Sequence, residues 1–127
     1  MILLDTNILI EQVRGTESAR SWLTEARRQS GRLVTSALCV TELKGGMRSP
    51  ERRVIDRLLG LVDIVAVDEA IAHRAGELMR TYRRSHQGIG IADYVIAATA
   101  LIHGYELATL NIRDFPMFEG LEPPFRV

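Results

Sequence analysis

Four acidic residues stand out because of what surrounds them. Asp5 ends the apolar run Met1–Leu4, Glu42 lies within 37–45, Asp93 is the only charge between Ile91 and Ile102, and Asp114 closes the stretch Thr109-Leu110-Asn111-Ile112-Arg113-Asp114. A carboxylate set in apolar sequence costs several kcal/mol to bury without compensation. Neither Asp5 nor Asp93 has a lysine or arginine close by in sequence to pair with. Like charges brought together repel, and a bound divalent cation lets all four stay ionised. The donors are all oxygen, with no cysteine or histidine cluster, which favours Mg²⁺ or Mn²⁺ over zinc. Thr6, Asn7, Thr109 and Asn111 add neutral hydrogen-bonding groups beside the acids, although Thr6 and Asn7 also suit a helix cap and Asn111 a turn.

The pattern of elements explains how residues so far apart could meet. Met1–Leu4 reads as a strand buried on both faces, running into a capping turn and a helix from Ile8 to Arg14 that ends at Gly15. Thr16 caps a second helix with the stripe Ala19, Trp22, Leu23 and Ala26. Leu33 and Val34 form the next strand, with Thr35 and Ser36 as caps for a helix over 37–45 that carries Glu42. Ser49-Pro50-Glu51 starts a helix whose buried face is Val54, Ile55, Leu58, Leu59 and Val62. A strand at 64–67 leads to Asp68, which caps a helix with the stripe Ile71, Ala75, Leu78, Met79 and Tyr82. A polar loop at 85–90 precedes the apolar helix Ile91–Ile102, closed by His103 and Gly104. Strand 107–110, the turn 111–115 and an edge strand within 121–127, weakened by Pro123 and Pro124, complete the chain.

Short apolar strands alternating with helices predict an α/β fold: a three-layer α/β/α domain over residues 1–127, around a mainly parallel sheet of four to five short strands. Ligands of such folds sit beyond the C-terminal ends of the strands. All four acids fall on that edge.

Composition narrows the function classes. The chain has 127 residues, 46% apolar, with 16 Lys+Arg balancing 16 Asp+Glu. Zero net charge excludes a polycation that coats nucleic acid, and equally an acidic disordered tail. Withdrawing the four acids into a metal pocket leaves an excess of four basic residues outside it. Arg48, Arg80, Arg83, Arg84 and Arg113 are the candidates for gripping phosphate, with a solvated helix face as the alternative for each. Cys39 is alone in an apolar stretch and reads as a buried structural thiol. No apolar run reaches the roughly 18 to 20 residues of a membrane helix, and no basic signal region opens the chain, so a cytoplasmic location without membrane contact is expected.

The segments Leu3-Leu4-Asp5-Thr6-Asn7-Ile8-Leu9, Thr41-Glu42-Leu43 with its following glycines, Ile91-Ala92-Asp93-Tyr94-Val95-Ile96-Ala97-Ala98-Thr99-Ala100 and Thr109–Phe115 together resemble a PIN domain. More narrowly, the chain resembles the VapC-type toxins of bacterial type II toxin–antitoxin pairs, over essentially its whole length. The resemblance implies a divalent-metal-dependent endoribonuclease, with Asp5, Glu42, Asp93 and Asp114 as the acidic quartet and Asn7, Thr109 and Asn111 lining the site. It also implies a cognate VapB-type antitoxin, a homodimer and a toxin–antitoxin hetero-oligomer. Leu110 stands where many such proteins carry a basic residue, and Arg113 is close by. The antitoxin's C-terminal segment is expected across a groove formed by 8–28 and 49–61. Hydrolysis by a metal-activated water gives 5′-phosphate and 3′-OH ends, and no pair of histidines is placed for 2′-OH attack.

Other readings remain at this stage. They are a PIN-type nuclease of RNA maturation or DNA processing, and a regulator that binds RNA or antitoxin without cutting. An aspartyl phosphotransferase built on Asp5 commonly has a second Asp two residues on, where this chain has Asn7.

Overall fold

The computed structural model describes residues 1–127. In chain order the elements are β1 (Ile2–Leu4), α1 (Thr6–Arg14), α2 (Glu17–Ser30), β2 (Leu33–Ser36), α3 (Ala37–Gly46), a 3₁₀ turn (Ser49–Glu51), α4 (Arg52–Leu59), β3 (Val62–Val65), α5 (Glu69–Tyr82), α6 (Ile91–His103), β4 (Glu106–Ala108) and a second 3₁₀ turn (Ile112–Asp114). The four strands pair in the order β3-β2-β1-β4, all parallel, with Leu3 opposite Val34 on one side and Leu107 on the other.

This order fixes the layers. The connections from β1 to β2 and from β2 to β3 step in one direction across the sheet, while the connection from β3 to β4 steps back past β1. Right-handed crossovers then place α1 to α4 on one face and α5 with α6 on the other. The chain leaves β1 and enters β4 on opposite faces, so a crevice opens beyond the C-terminal ends of these two neighbours.

Both faces of the central strands are covered. Leu3 and Leu4 are fully buried, as are Ile8, Leu9, Ile71, Ala97, Ala98 and Ala100 on the flanking helices. Parallel strands covered on both sides need such unbroken apolar runs. Cys39 is buried in this core, where burial pushes its thiol up and keeps it protonated.

Several boundaries differ from those read in the sequence. Helix α1 begins at Thr6 rather than Ile8, because Asp5 itself is the cap: its Oδ1 accepts from the Thr6 amide at 2.7 Å. Thr16 is the N-cap residue of α2, its carbonyl accepting from the Arg20 amide at 3.0 Å, but its hydroxyl makes no capping bond and donates to Glu11 Oε1 at 2.6 Å instead. Asp68 does cap α5, accepting from the Ile71 amide at 2.9 Å. Strand β3 starts at Val62, which is buried opposite Leu33, whereas Val67 lies beyond it and is exposed. Strand β4 ends at Ala108 because the hydroxyl of Thr109 turns to Asp5. Residues 121–127 form no strand; they pack as irregular chain, with the Phe125 ring 6.0 Å from Trp22 and the Arg126 carbonyl accepting from the Ser18 hydroxyl. Helix α6 is buried through its middle, yet Ile91, Leu101 and Ile102 at its ends are exposed.

The burial pattern along α6 yields a paired expectation. Ile96→Ala, at 1% exposure, lowers the unfolding free energy by about 3 kcal/mol. Ile102→Ala, at 42% exposure, changes it by less than about 1 kcal/mol. Urea titration of both variants checks the pair.

Candidate active site

Where β1 and β4 end, a hydrogen-bonded network joins their next residues. Asp5 directly follows β1 and is 4% exposed; Thr109 directly follows β4 and is fully buried. The Thr109 hydroxyl donates to Asp5 Oδ2 at 2.7 Å, across 104 residues of chain. Asn7 sits between them, its amide nitrogen donating to Asp5 Oδ2 and to Thr109 Oγ1, each at 3.3 Å. Its carbonyl oxygen accepts from the Leu110 amide at 3.1 Å, and the Asn111 amide donates to Thr109 Oγ1 at 3.0 Å. Thus Asp5 receives three neutral donors and no cationic one.

The other three acids converge on the same edge by different routes. Glu42, one turn before the end of α3, is reached by the Thr6 hydroxyl, which donates to its Oε1 at 2.7 Å. Asp93 lies in the first turn of α6, where the partial positive charge of the helix N-terminus favours an anion. Asp114 closes the second 3₁₀ turn. None of the four takes part in an ion pair. They differ in exposure: Asp5 is buried, Asp93 and Asp114 are half-buried, and Glu42 is exposed at the mouth. Glu42 is therefore not withdrawn into a pocket as the charge balance had suggested.

Electrostatics shows that the acids feel one another. Burial pushes the Asp93 carboxyl up to about 6, helped by the charges of Asp5 and Asp114 and, more weakly, Glu42, against a hydrogen bond from Gly90. Burial also raises Asp5; the hydrogen bonds from Thr109 and Thr6 oppose this, and the Glu42 charge adds to it. No three acidic, histidine or cysteine side chains already close around one ion-sized position. The arrangement is an open ring of carboxylates, lined by neutral donors.

The remaining candidates fare unevenly. Asn111 contributes its backbone amide, and its side chain makes no hydrogen bond to the acids. Arg48 is paired with Glu51 at 3.2 Å, so that cation is partly spoken for. Arg80, Arg83, Arg84 and Arg113 are exposed and form no salt bridge; Arg83 lines a pocket under α6, and Arg113 precedes Asp114. His73, His86 and His103 lie apart, on α5, in the loop after it and at the far end of α6. A groove of about 410 Å³ runs from Glu42 between α1, α3 and α4, with Ile10, Val13, Leu43, Met47 and Ile55 in its walls. It takes α3 as a side; the groove expected between 8–28 and 49–61 is present as a separate, smaller one of about 110 Å³, walled by Gln12, Leu23, Leu58 and Leu61. The bridge from Thr6 to Glu42 was not foreseen; the only hint was a hydroxyl beside a capping Asp.

The same fold recurs in known proteins. The profile of the PIN domain matches residues 2–118. The chain belongs to the PIN family. Within it, the chain belongs with the VapC proteins. It is 52% identical over 127 residues to Ribonuclease VapC10 of Mycobacterium tuberculosis, covering 100% of this chain and 95% of that protein. It is 39% identical to Ribonuclease VapC19 of the same species, covering 98% and 100%. Among solved structures, a toxin–antitoxin complex from Klebsiella pneumoniae aligns over 100% of both chains with a TM-score of 0.81 and 26% identity. The three-layer α/β/α architecture expected from the sequence is thus the PIN fold, and its switch-point crevice holds the acids.

The raised Asp93 gives this PIN domain a stability signature with a definite sign. A carboxyl whose pKa lies higher in the folded chain holds its proton more tightly there, so it favours folding below about pH 4 and loses that contribution as pH rises through about 6. A shift of about two units corresponds to roughly 3 kcal/mol. Because Asp93 is half-exposed, water screening reduces this to about 1 kcal/mol. In EDTA, Asp93→Asn is therefore expected to raise stability at pH 8 by about that amount and to change it little at pH 4. Thermal melts at both pH values test this, and a loss of stability at pH 8 contradicts it.

Proposed function

We propose that this chain is a Mg²⁺- or Mn²⁺-dependent endoribonuclease, the toxin of a type II toxin–antitoxin pair, which hydrolyses RNA phosphodiester bonds to 5′-phosphate and 3′-OH ends. One observation carries the reading: four carboxylates share a sheet edge, two of them raised by burial, with neutral donors around Asp5 and no cation paired to any of them. The relatives named as ribonucleases support RNA as the substrate.

The donor set fits a hard divalent ion, since every candidate ligand is a carboxylate oxygen. Asp5, Glu42, Asp93 and Asp114 would hold it, and their open spacing suits an ion of the magnesium type, which keeps several of its waters. When bound, Mg²⁺ or Mn²⁺ supplies neutralisation of the scissile phosphate and acidification of the attacking water. The chain's own residues do the rest. Thr109, Asn7 and the Thr6 amide fix the Asp5 carboxylate in one orientation. Thr6 engages one oxygen of Glu42 and leaves Oε2 to accept a proton at the mouth of the crevice. Arg113, Arg80 and Arg84, exposed and without salt-bridge partners, supply phosphate grip from the rim.

The groove beginning at Glu42 supports an antitoxin segment as partner: its apolar walls suit a buried strip of peptide, and an arginine on that segment reaches the acids in place of the metal. The structural relative from Klebsiella pneumoniae is itself described as a toxin–antitoxin complex. Self-association belongs to the same reading, and the open apolar face of Leu38, Val67, Val95 and Ile91, the last 70% exposed, suits a second copy. No helix is long and apolar enough to cross a membrane, in keeping with a cytoplasmic toxin.

The test is cleavage of a single-stranded RNA with Mn²⁺ or Mg²⁺, followed by analysis of the new ends. The wild-type chain is expected to give 5′-phosphates, EDTA to abolish cutting, and Asp93→Asn to slow it by about a hundredfold or more. Products with 2′,3′-cyclic phosphate ends, or equal cleavage in EDTA, contradict the proposal.

A further inference from the structure

A second feature of α6 lies one residue from Asp93. Tyr94 is 1% exposed, and its hydroxyl is buried with no hydrogen-bond partner. A buried phenol ordinarily finds one, because leaving the group unpaired forfeits its hydration for nothing. Tyr94 forms the inner wall of a pocket of about 330 Å³ between the end of α5 and the start of α6. Arg83, His86 and Gln87 stand around the opening, and Met79 and Ile89 give it apolar sides. The covering loop turns at Gly88, whose φ of +94° favours glycine, and nothing lies within 4 Å of where a side chain there would begin.

The polar groups around this pocket are arranged rather than scattered. The Ser85 hydroxyl donates to the Tyr82 carbonyl at 3.3 Å and lies 2.8 Å from His86 Nδ1. That contact engages Nδ1 and leaves Nε2 without a partner in the protein. The imidazole is steadied edge-on against Tyr82, with ring centroids 5.7 Å apart. Arg83 has no salt-bridge partner. A cation, an imidazole nitrogen, a primary amide and an unpaired phenol around apolar walls match one nucleotide: phosphate to Arg83, base edge to Gln87, His86 and Tyr94, base faces to Met79 and Ile89.

We infer that the Tyr94 pocket is a subsite for one unpaired nucleotide of single-stranded RNA next to the scissile phosphate, with the Tyr94 hydroxyl reading its base. This rests on the endoribonuclease reading and adds the sequence preference to it. Successive residues of a helix project about 100° apart, so Asp93 serves the acidic crevice while Tyr94 serves the adjoining pocket. Tyr94 lines the pocket while its hydroxyl lacks a partner, and the edge of the base supplies one.

The experiment uses RNA oligonucleotides that differ only in the base flanking the cut, with kcat/KM measured in Mn²⁺ for the wild-type chain, Tyr94→Phe and Gln87→Ala. The wild-type chain discriminates among the four bases at one flanking position. Tyr94→Phe reduces that discrimination about tenfold, the worth of one neutral hydrogen bond, and Gln87→Ala reduces it in the same direction. The Tm of Tyr94→Phe without RNA is equal to or above that of the wild type, since an unpaired hydroxyl has been removed. Unchanged discrimination in both variants, a wild-type chain indifferent to the flanking base, or a lower Tm for Tyr94→Phe overturns the subsite. Failure of the wild-type chain to cut any of the oligonucleotides instead overturns the ribonuclease reading and the subsite with it.

Discussion

The carboxylate of Asp5 is held at 4% exposure with no cationic partner, and the hydrogen bond from Thr109 that steadies it joins the ends of two adjacent strands. Burial alone would drive such a group to protonate. Three neutral donors resist this, from the Thr109 hydroxyl, the Thr6 amide and the Asn7 side chain, while the Glu42 charge works against them. The balance leaves Asp5 raised but tightly oriented. The neighbouring carboxylates add to the pressure on it to protonate, and a cation held among them would oppose it.

The parallel sheet makes that arrangement available. Because the connections from β1 and into β4 run on opposite faces, the strand ends lie side by side with no loop across them. Asp5 caps α1 as the chain leaves β1, and the same turn presents Thr6 to Glu42 on α3. Asp93 arrives on the first turn of α6 from the other layer. Each acid thus stands on a rigid element, and the repulsion among them is sustained by the core beneath. The cost shows at Asp93, whose carboxyl sits near 6; sites of this kind trade stability for function.

Much of this was legible in the residues. A lone charge in an apolar run points to a special environment, and that reasoning located Asp5 and Asp93 and the sheet edge they share. The strand starts were harder, since Val62 continues the apolar spacing of the preceding helix and is claimed by either element. Strand β4 ends early because the Thr109 hydroxyl takes Asp5 as its partner, a contact across 104 residues that no local pattern reports. Glu42 was misjudged as withdrawn; its place on α3 turns it to the mouth, where Thr6 catches it. Arg48, a candidate for phosphate, also reaches Glu51 three residues on in an exposed pair that sequence spacing allows. Tyr94 passed as one more apolar residue of α6, because an unpartnered hydroxyl becomes visible only when its surroundings are known.

The central claim is that these four carboxylates, lacking any cation of their own, are built to share a divalent ion. Isothermal titration of metal-free chain with Mn²⁺ at pH 7.5 tests it without RNA or antitoxin. The account predicts saturable binding that Asp5→Asn weakens by at least about tenfold, with a matching rise in Tm in the wild-type chain alone. Binding of equal strength in Asp5→Asn, or no binding by the wild-type chain at millimolar Mn²⁺, would contradict it.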